Sequence, residues 1–365
     1  MQAAAAEPER TTFMTLKEAA GSSARKLAGR VSRGRPAALR KQLPDELLQR
    51  VQEASRPPVA RATSATVGEL DRLMVDNYQV KNLVGISKDE FRRRIDGFLD
   101  MEDSEIEGFA VADQQRRYAI KFHWSHYHDF GDFVVEGMNR DRHERLIANF
   151  IDIFGVLPRR LEGRRVLDIG CWTGGTSLVL AAMGATVVAV EEVRKYTESL
   201  RFLKDSFAIS GLDVRNLSLY DLRGPEYQDQ FDYVLFGGVL YHLSDMILGL
   251  RIIFNCLKPG GKLLLETATA PQIWVRGDQR LLAYGGTDPF GQRPPAPEGG
   301  RVPNPDVMGA SWFFPTERTV REMMIDVGFA DVRTAVTGED RASAVGTKKQ
   351  WVDMMRAGLS VRDIT

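Results

Sequence analysis

Short apolar runs alternate with segments of helical periodicity along the second half of the chain. The first run, Arg165–Ile169, is typical of a buried strand. The chain breaks at Gly170 and resumes at Ser177–Met183 with helical spacing, which predicts a strand, a glycine turn and a helix. Five more strands are predicted further along: Thr186–Glu191, Val214–Leu219, Phe231–Phe236, Lys262–Glu266 and Phe329–Val336. This alternation predicts an α/β fold with a doubly wound, Rossmann-like parallel sheet.

Composition divides the rest of the chain. Residues 1–65 are rich in Ala, Arg, Ser and Pro, which predicts a mobile tail. Residues 66–135 are expected to form a helical cap and a lid segment, and residues 136–365 the sheet domain. A Pro/Gly-rich insert at 269–311 is expected to line a substrate pocket. The tail is basic over one stretch, which suits either RNA phosphates or solvent: Arg25, Lys26, Arg30, Arg33, Arg35, Arg40 and Lys41.

Overall charge and cysteine content exclude several classes of protein. The 365 residues carry 49 Lys and Arg against 49 Asp and Glu, so net charge does not indicate nucleic acid or membrane. Two cysteines, Cys171 and Cys256, cannot build a disulfide framework, which fits a reducing compartment. Apolar runs of membrane-spanning length and a signal peptide are not expected either. These features predict a cytoplasmic protein without a membrane partner; a homo-oligomer stays open.

The glycine turn carries the first chemical signal. A turn of this kind lets a ligand approach the backbone at a helix N-terminus. A dinucleotide fingerprint needs G-x-G-x-x-G, and Trp172 stands at the second glycine position. The order of Asp168, Gly170, Cys171 and Gly174 resembles motif I of class I methyltransferases that depend on S-adenosylmethionine (SAM). The resemblance implies that Asp168 orients the amino acid end of SAM and that the glycines admit its body.

Other strand ends supply the remaining candidate cofactor residues. Glu191 ends the second strand, where a carboxylate can accept both ribose hydroxyls, with Glu192 as the alternative. Tyr220 and Asp221 follow the third strand, where an acid of this fold commonly meets the adenine amino group, although Asp221 fits a loop acid equally well. Gly237 follows the fourth strand. Because ligands of such sheets bind beyond the carboxyl ends of the strands, these positions together predict a SAM site.

Four further segments point to a more specific family, and the similarity covers roughly residues 115 to 358. The segments are Gly238–His242, Leu265–Thr267, Trp312–Thr316 and Val327–Phe329. They are similar to the tRNA wobble-uridine carboxymethyltransferase family. The resemblance implies that Tyr241 and Lys121 bind the extra carboxylate of a carboxylated SAM. In that family a third ligand, an arginine, lies on a last strand beyond the C-terminal helix. That helix is predicted here at Gln350–Leu359, and no such strand is expected before Thr365, so ordinary SAM is the expected donor.

The segment around His123, His126 and His128 holds three of the five histidines, with aromatic residues between them. A metal site is one alternative, but paired ligand spacing is missing, so no metal is predicted. A lid that faces the substrate is favoured, because aromatic rings with polar tips recur in ligand clefts. Ordinary packing at an interface is the remaining alternative.

The expected reaction is in-line attack of a nucleophile on the SAM methyl group, for which alignment matters most. For a hydroxyl acceptor, His242 is the first candidate base, with His123 and His126 second, and Tyr241 orients the acceptor. The favoured prediction is methyl transfer to a hydroxyl of a small molecule. Modification of the tRNA wobble uridine and a SAM-binding protein without turnover are the alternatives.

Overall fold

The structure is a computed structural model that describes residues 58–100, 122–270, 282–284 and 313–349, the third of these as backbone only. Several predicted features therefore lie outside the described residues: the basic stretch of the tail, Lys121, most of the insert, and the C-terminal helix at Gln350–Leu359. The predicted division of the chain at 65 and 135 stays a prediction.

Among the described residues, three helices and a small two-stranded sheet precede the large sheet. Helix α1 spans Ser64–Asn77 and helix α2 spans Lys88–Leu99. The Ser87 hydroxyl accepts a hydrogen bond from the Glu90 amide, as expected of a serine before a helical pattern. The elements up to the sheet are completed by β1 (His128–Asp129), β2 (Val134–Val135) and helix α3 (Arg142–Asp152).

Thirteen elements follow among the described residues. They are β3 (Arg165–Ile169), α4 (Gly175–Ala182), β4 (Thr186–Glu191), α5 (Arg194–Ser206), β5 (Leu212–Asn216), β6 (Phe231–Gly237), α6 (Met246–Cys256), β7 (Leu257–Ala268), β8 (Leu282–Tyr284), β9 (Phe313–Pro315), α7 (Glu317–Val327), β10 (Ala330–Val336) and β11 (Arg341–Thr347). Short 3-10 turns lie at Leu219–Asp221 and Leu240–His242. Of the described helices, none is long and apolar enough to cross a membrane.

Seven described strands form one sheet in the order β10-β11-β7-β6-β3-β4-β5. The five strands from β3 to β7 run parallel, and β11 runs antiparallel to both of its neighbours. The predicted α/β fold with a parallel sheet is confirmed. The predicted third strand begins two residues and ends three residues later than β5, because Leu219 begins a 3-10 turn instead of ending the strand.

Successive side chains of the central strands lie on opposite faces of the sheet and pack into two separate hydrophobic cores. Val166 and Val187 pack on the face covered by α1 to α5, and Leu167 and Val188 pack on the face covered by α6 and α7. All four are at most 4% exposed, so this sheet is buried on both faces. That explains why its strands read as continuous apolar runs.

Strand β11 was not predicted. It precedes the C-terminal helix predicted at Gln350–Leu359, so the expectation that no arginine-bearing strand follows that helix stays a prediction. The strand lies between β10 and β7, with Arg341 opposite Ala268. Its buried positions are mostly filled by small residues: Ala342, Ser343, Ala344, Val345 and Gly346. Small side chains suit a strand enclosed between two others, but they give a weak hydrophobic signal in the sequence.

Candidate active site

Three residues of the glycine turn between β3 and α4 have positive φ angles, in the left-handed region of backbone conformation. Gly170 has φ 73° and Gly174 has φ 91°. A Cβ on Gly170 would lie 2.3 Å from Val239 Cγ2, and one on Gly174 would lie 2.2 Å from Leu200 Cδ1. Both positions therefore require glycine. Trp172 has φ 54° without being glycine, so this turn stores backbone strain of about 1–3 kcal/mol.

Asp168 ties the end of β3 to the helix that follows. Its Oδ2 accepts hydrogen bonds from the hydroxyls of Thr176 and Ser177, each at 2.6 Å. Burial raises the pKa of Asp168 to about 6, although both hydroxyls favour its ionised form. The carboxylate thus holds the first turn of α4 beside the glycine turn. Its role toward the cofactor, like that of the buried Cys171, stays a prediction.

Glu191 joins the end of β4 to the glycine turn. One carboxylate oxygen accepts the Trp172 amide at 3.0 Å, and the other accepts the Val193 amide at 3.0 Å. The Asn216 side chain donates to the carbonyls of Glu191 and Glu192, which fixes β4 against β5. Burial raises the pKa of Glu191 to about 7. This is the geometry of a carboxylate placed at a strand end, as the sequence predicts.

The predicted adenine side is a capped 3-10 turn. The Asp221 carboxylate is exposed and accepts the Ser218 amide at 3.0 Å. The Ser218 hydroxyl donates in turn to the Glu192 carboxylate. Tyr220 lies half-buried between them, and burial raises the pKa of its phenol. Ser218 therefore links the side chains of Glu192 and Asp221, whereas the Tyr220 phenol hydrogen-bonds with Ser244 and with the Asp245 backbone.

Helix α3 closes over the end of β6. A Cβ on Gly237 would lie 2.6 Å from Leu146 Cδ2, and one on Gly238 would lie 2.9 Å from Arg142 Nη2. The 3-10 turn that follows carries Tyr241 and His242, both half-buried, with ring centroids 3.9 Å apart. The predicted base His242 is thus at the expected strand end, and its role stays a prediction.

A charged cluster, formed by Arg142, Glu266 and Arg341, lies where β6, β7 and β11 meet. Arg341 Nε is 3.5 Å from Glu266 Oε1, and Arg142 Nη2 is 3.9 Å from Glu266 Oε2. The Arg341 guanidinium lies 5.4 Å from the centroid of the Tyr241 ring. Among the described residues, Arg341 Nη1 is buried without a hydrogen-bond partner. The cluster carries two cations and one anion, and Asp340, next to Arg341 in the chain, adds a second negative charge nearby.

The two second-choice bases do not share one environment. His123 is half-buried, and its backbone hydrogen-bonds with the Tyr196 hydroxyl. His126 is 0% exposed, and both of its ring nitrogens are engaged, with Thr173 and His128. This enclosure removes the reason for proposing His126 as a base that meets the acceptor. It also means that this part of the predicted lid is packed inside the molecule. In the described part of the chain, no group of His, Cys, Asp or Glu is placed to hold a metal ion.

Sequence reasoning missed three residues of this region: Arg142, Thr173 and Arg341. Arg341 begins a strand that the hydrophobic pattern does not reveal. Arg142 is one of several arginines at the start of α3, and Thr173 is an unremarked residue of the glycine turn. Only their tertiary contacts distinguish them from neighbouring residues of the same type.

Comparison with known proteins agrees with this geometry. Residues 138–334, more than half of the chain, match the model of a family described as a methyltransferase domain. The tRNA U34 carboxymethyltransferase of Desulfotalea psychrophila is 28% identical over 203 residues, which cover 55% of this chain and 56% of that protein. The cypemycin N-terminal methyltransferase of a Streptomyces species is 37% identical over 135 residues, covering 34% and 51%.

The chain is also similar to a further curated methyltransferase and to solved structures. The ubiquinone biosynthesis O-methyltransferase of Methylocella silvestris is 33% identical over 135 residues, covering 37% of this chain and 46% of that protein. The chain spans about half the length of these curated relatives. Among solved structures, the N-terminal domain of EvdMO1 with S-adenosylhomocysteine (SAH) and D-fucose is 15% identical and covers 73% of this chain and 98% of that one, with a TM-score of 0.44. Because the matched residues make up more than half of the chain, the chain belongs to the methyltransferase domain family.

Proposed function

We propose that the protein alkylates a hydroxyl of the tRNA wobble uridine and that its preferred donor is the carboxylated form of SAM. The observation that carries this proposal is Arg341, whose guanidinium lies beside Tyr241 with one buried nitrogen unpaired among the described residues. Ordinary SAM is the expected donor from the sequence because no arginine-bearing strand is predicted beyond the C-terminal helix, whereas Arg341 offers a guanidinium from β11, which precedes that segment. The tRNA U34 carboxymethyltransferases among the relatives support the same direction.

The site fits the cofactor. Gly170 and Gly174 have positive φ and form a tight turn directly before helix α4, whose N-terminal backbone N–H groups can face a ligand. Glu191 would offer carboxylate oxygens to the ribose hydroxyls, and Asp168 would orient the amino acid end, as the resemblance implies. The cofactor supplies an electrophilic carbon bound to a positively charged sulfur. The residues of this chain align the acceptor with that carbon, which is the main contribution in a transfer of this kind.

Charge explains why Arg341 matters to the choice of donor. A carboxylate that enters a closed pocket loses its water and needs charge-assisted partners. Arg341 offers an N–H group without a partner in the described residues, and Tyr241 offers a hydroxyl next to it. Removing such a partner costs about 1–3 kcal/mol, so we expect it to lower affinity about tenfold or more. Lys121, the further ligand implied by the resemblance, lies outside the described residues.

A second candidate is methyl transfer from ordinary SAM to a hydroxyl of a small molecule. Glu266 favours it, because this buried carboxylate already lies 3.5 Å from Arg341 and 3.9 Å from Arg142. An arginine that is compensated in this way has less attraction left for a second carboxylate. His242, next to Tyr241, is the base that we propose for a hydroxyl acceptor in either reaction.

Competitive calorimetry with the two donors separates these functions. We expect the wild-type protein to bind carboxylated SAM at least tenfold more tightly than SAM, and Arg341→Gln to remove most of that preference. Arg321→Gln, on the exposed side of α7, is the control for loss of an arginine. Equal affinities in the wild type, or a preference for SAM, would refute the carboxylated donor and leave the second candidate. Labelled donor with bulk tRNA, and separately with a metabolite extract, then identifies the acceptor class.

A further inference from the structure

Four buried polar side chains form a continuous chain of contacts behind the glycine turn. Ser125, His126 and His128 come from the segment before β2, and Thr173 comes from the turn itself. Each is at most 1% exposed. We call these four residues the hydroxyl–imidazole relay. The family resemblance assigns no structural role to these four residues, and the proposed transfer reaction does not use them.

The contacts form an unbranched series from Ser125 to the backbone of Tyr78. The amide and the hydroxyl of Ser125 lie 3.0 Å and 2.6 Å from Thr173 Oγ1. Thr173 Oγ1 lies 3.2 Å from His126 Nδ1, and His126 Nε2 lies 3.3 Å from His128 Nδ1. The last link joins His128 Nε2 to the backbone carbonyl of Tyr78 at 3.0 Å. The relay therefore connects the glycine turn to the residue that follows α1.

The chemistry of the groups fixes where each proton lies. The Tyr78 carbonyl only accepts, so His128 Nε2 must carry a proton and donate it. In a neutral ring His128 Nδ1 is then an acceptor, and His126 Nε2 must donate to it. His126 Nδ1 accepts in turn from the Thr173 hydroxyl, which is left to accept from Ser125. Each hydrogen bond thus determines the direction of the next.

Both imidazoles must be neutral for this arrangement, and their surroundings make them so. Burial lowers the pKa of His128 to about 4 and that of His126 well below its usual value. The nearby His128 and His143 rings lower the pKa of His126 further. A second proton on His128 Nδ1 would face the proton on His126 Nε2 and place two donors face to face.

The anchored residue lies in the most strained part of the cofactor site. Thr173 stands between Trp172, at φ 54°, and Gly174, at φ 91°. A non-glycine residue in the left-handed region persists only where surrounding contacts hold it there. The Trp172 amide is held by Glu191, and the Thr173 hydroxyl is held by the relay.

We propose that the hydroxyl–imidazole relay is a positioning device that presets the glycine turn for SAM. Its residues act on the cofactor through the backbone of Thr173. Because the turn is already in its strained form before the cofactor arrives, binding does not have to supply the cost of ordering it. Loss of the relay should therefore weaken cofactor binding more than it slows the reaction of bound cofactor.

The test compares variants that remove or restore one hydroxyl. Thr173→Val keeps the shape of the side chain and deletes the hydroxyl, and Thr173→Ser keeps the hydroxyl. We expect Thr173→Val to raise the Kd for SAH and the KM for SAM about tenfold, with a fall in kcat of less than about threefold. Thr173→Ser should stay within about twofold of the wild type. Equal SAH affinity in the wild type and Thr173→Val would overturn the proposal.

Two more variants separate positioning from general loosening. His128→Leu breaks the relay at its far end, away from the turn, and should still weaken SAH binding about threefold or more. Tyr78→Phe removes an equally buried hydrogen bond, from the Tyr78 hydroxyl to the Leu178 carbonyl, but leaves the relay intact. We expect it to lower Tm without changing the Kd for SAH. If Tyr78→Phe weakens SAH binding as much as Thr173→Val, or if His128→Leu has no effect, the relay is not the cause.

Discussion

Replacing His128 with glutamine should change how the stability of the protein depends on pH. His128 is 1% exposed, stacks on Phe130 with centroids 3.8 Å apart, and donates to the Tyr78 carbonyl. Glutamine can still donate to that carbonyl but does not titrate. The wild-type protein carries a buried imidazole that must stay neutral, and the variant does not.

The magnitude follows from the pKa. Burial lowers the pKa of His128 to about 4 in the folded protein, whereas an unfolded chain holds a histidine near its usual 6.5. Above about pH 6.5 neither state is protonated at this residue, so its full contribution to stability is present. Between about pH 6.5 and about pH 4 the unfolded state binds one more proton. Stability then falls by about 1.4 kcal/mol per pH unit, or about 3 kcal/mol in all.

Buried carboxylates act in the opposite direction over part of the same range. Burial raises the pKa of Glu191 to about 7 and that of Asp168 to about 6, so the folded protein binds the extra proton there. Their contribution to stability is lost as the pH rises through those values. Wild type and His128→Gln share both carboxylates, so the contribution of Glu191 and Asp168 cancels in the difference between the two proteins.

Urea unfolding at several values between about pH 7.5 and about pH 4.5 provides the measurement. We expect the free energy of unfolding of the wild type, minus that of His128→Gln, to be constant above about pH 6.5. Below that value it should fall by about 1.4 kcal/mol per pH unit. Parallel curves for the two proteins across the whole range would refute the reasoning, because His128 would then titrate alike in both states.

Three further predictions concern other parts of the structure. Glu191→Gln should weaken SAH binding, and the rise in wild-type affinity that we expect as the pH passes about 7 should disappear in calorimetry; an unchanged pH profile would contradict the ribose role. Gly170→Ala places a Cβ 2.3 Å from Val239 Cγ2 at a φ of 73°, so urea unfolding should show a loss of about 2 kcal/mol or more, and a loss near zero would contradict this. Lys348 is 2% exposed in its side chain and pairs at 2.7 Å with Asp229, which is 58% exposed. Asp229→Ala leaves the buried Lys348 ammonium without its ion-pair partner and should lower the free energy of unfolding by about 2–3 kcal/mol, more than Lys348→Met does. A larger loss for Lys348→Met would contradict the argument.

The parts of the site that lie at strand ends could be predicted from the sequence. Buried parallel strands read as apolar runs, and a glycine or acid directly after such a run must lie at the ligand-binding edge. Gly170 and Glu191 are found in this way. The Thr316 hydroxyl caps α7 by accepting the Thr319 amide, which a local pattern also predicts.

The parts that depend on contacts between distant segments could not be predicted. Arg341 reaches Tyr241 from a strand one hundred positions later in the chain, and small residues hide that strand in the hydrophobic pattern. His126 looked like a base exposed to a ligand because its neighbours are aromatic. Those aromatic residues instead enclose it, and Trp124 lies 5.3 Å from its ring. Burial of a histidine depends on packing that periodicity does not encode.

The direction of β11 decides where Arg341 lies relative to the candidate site. Because β11 runs against β7, its first residue, Arg341, faces the edge where the parallel strands end. The tight turn before it, at 337–340, sets the register of the strand. An insertion of one residue there would turn Arg341 to the opposite face of the sheet, while β3 and β4 keep their places. On the proposed function, a change confined to this turn would therefore alter donor choice while the strand ends that carry Gly170 and Glu191 stay in place.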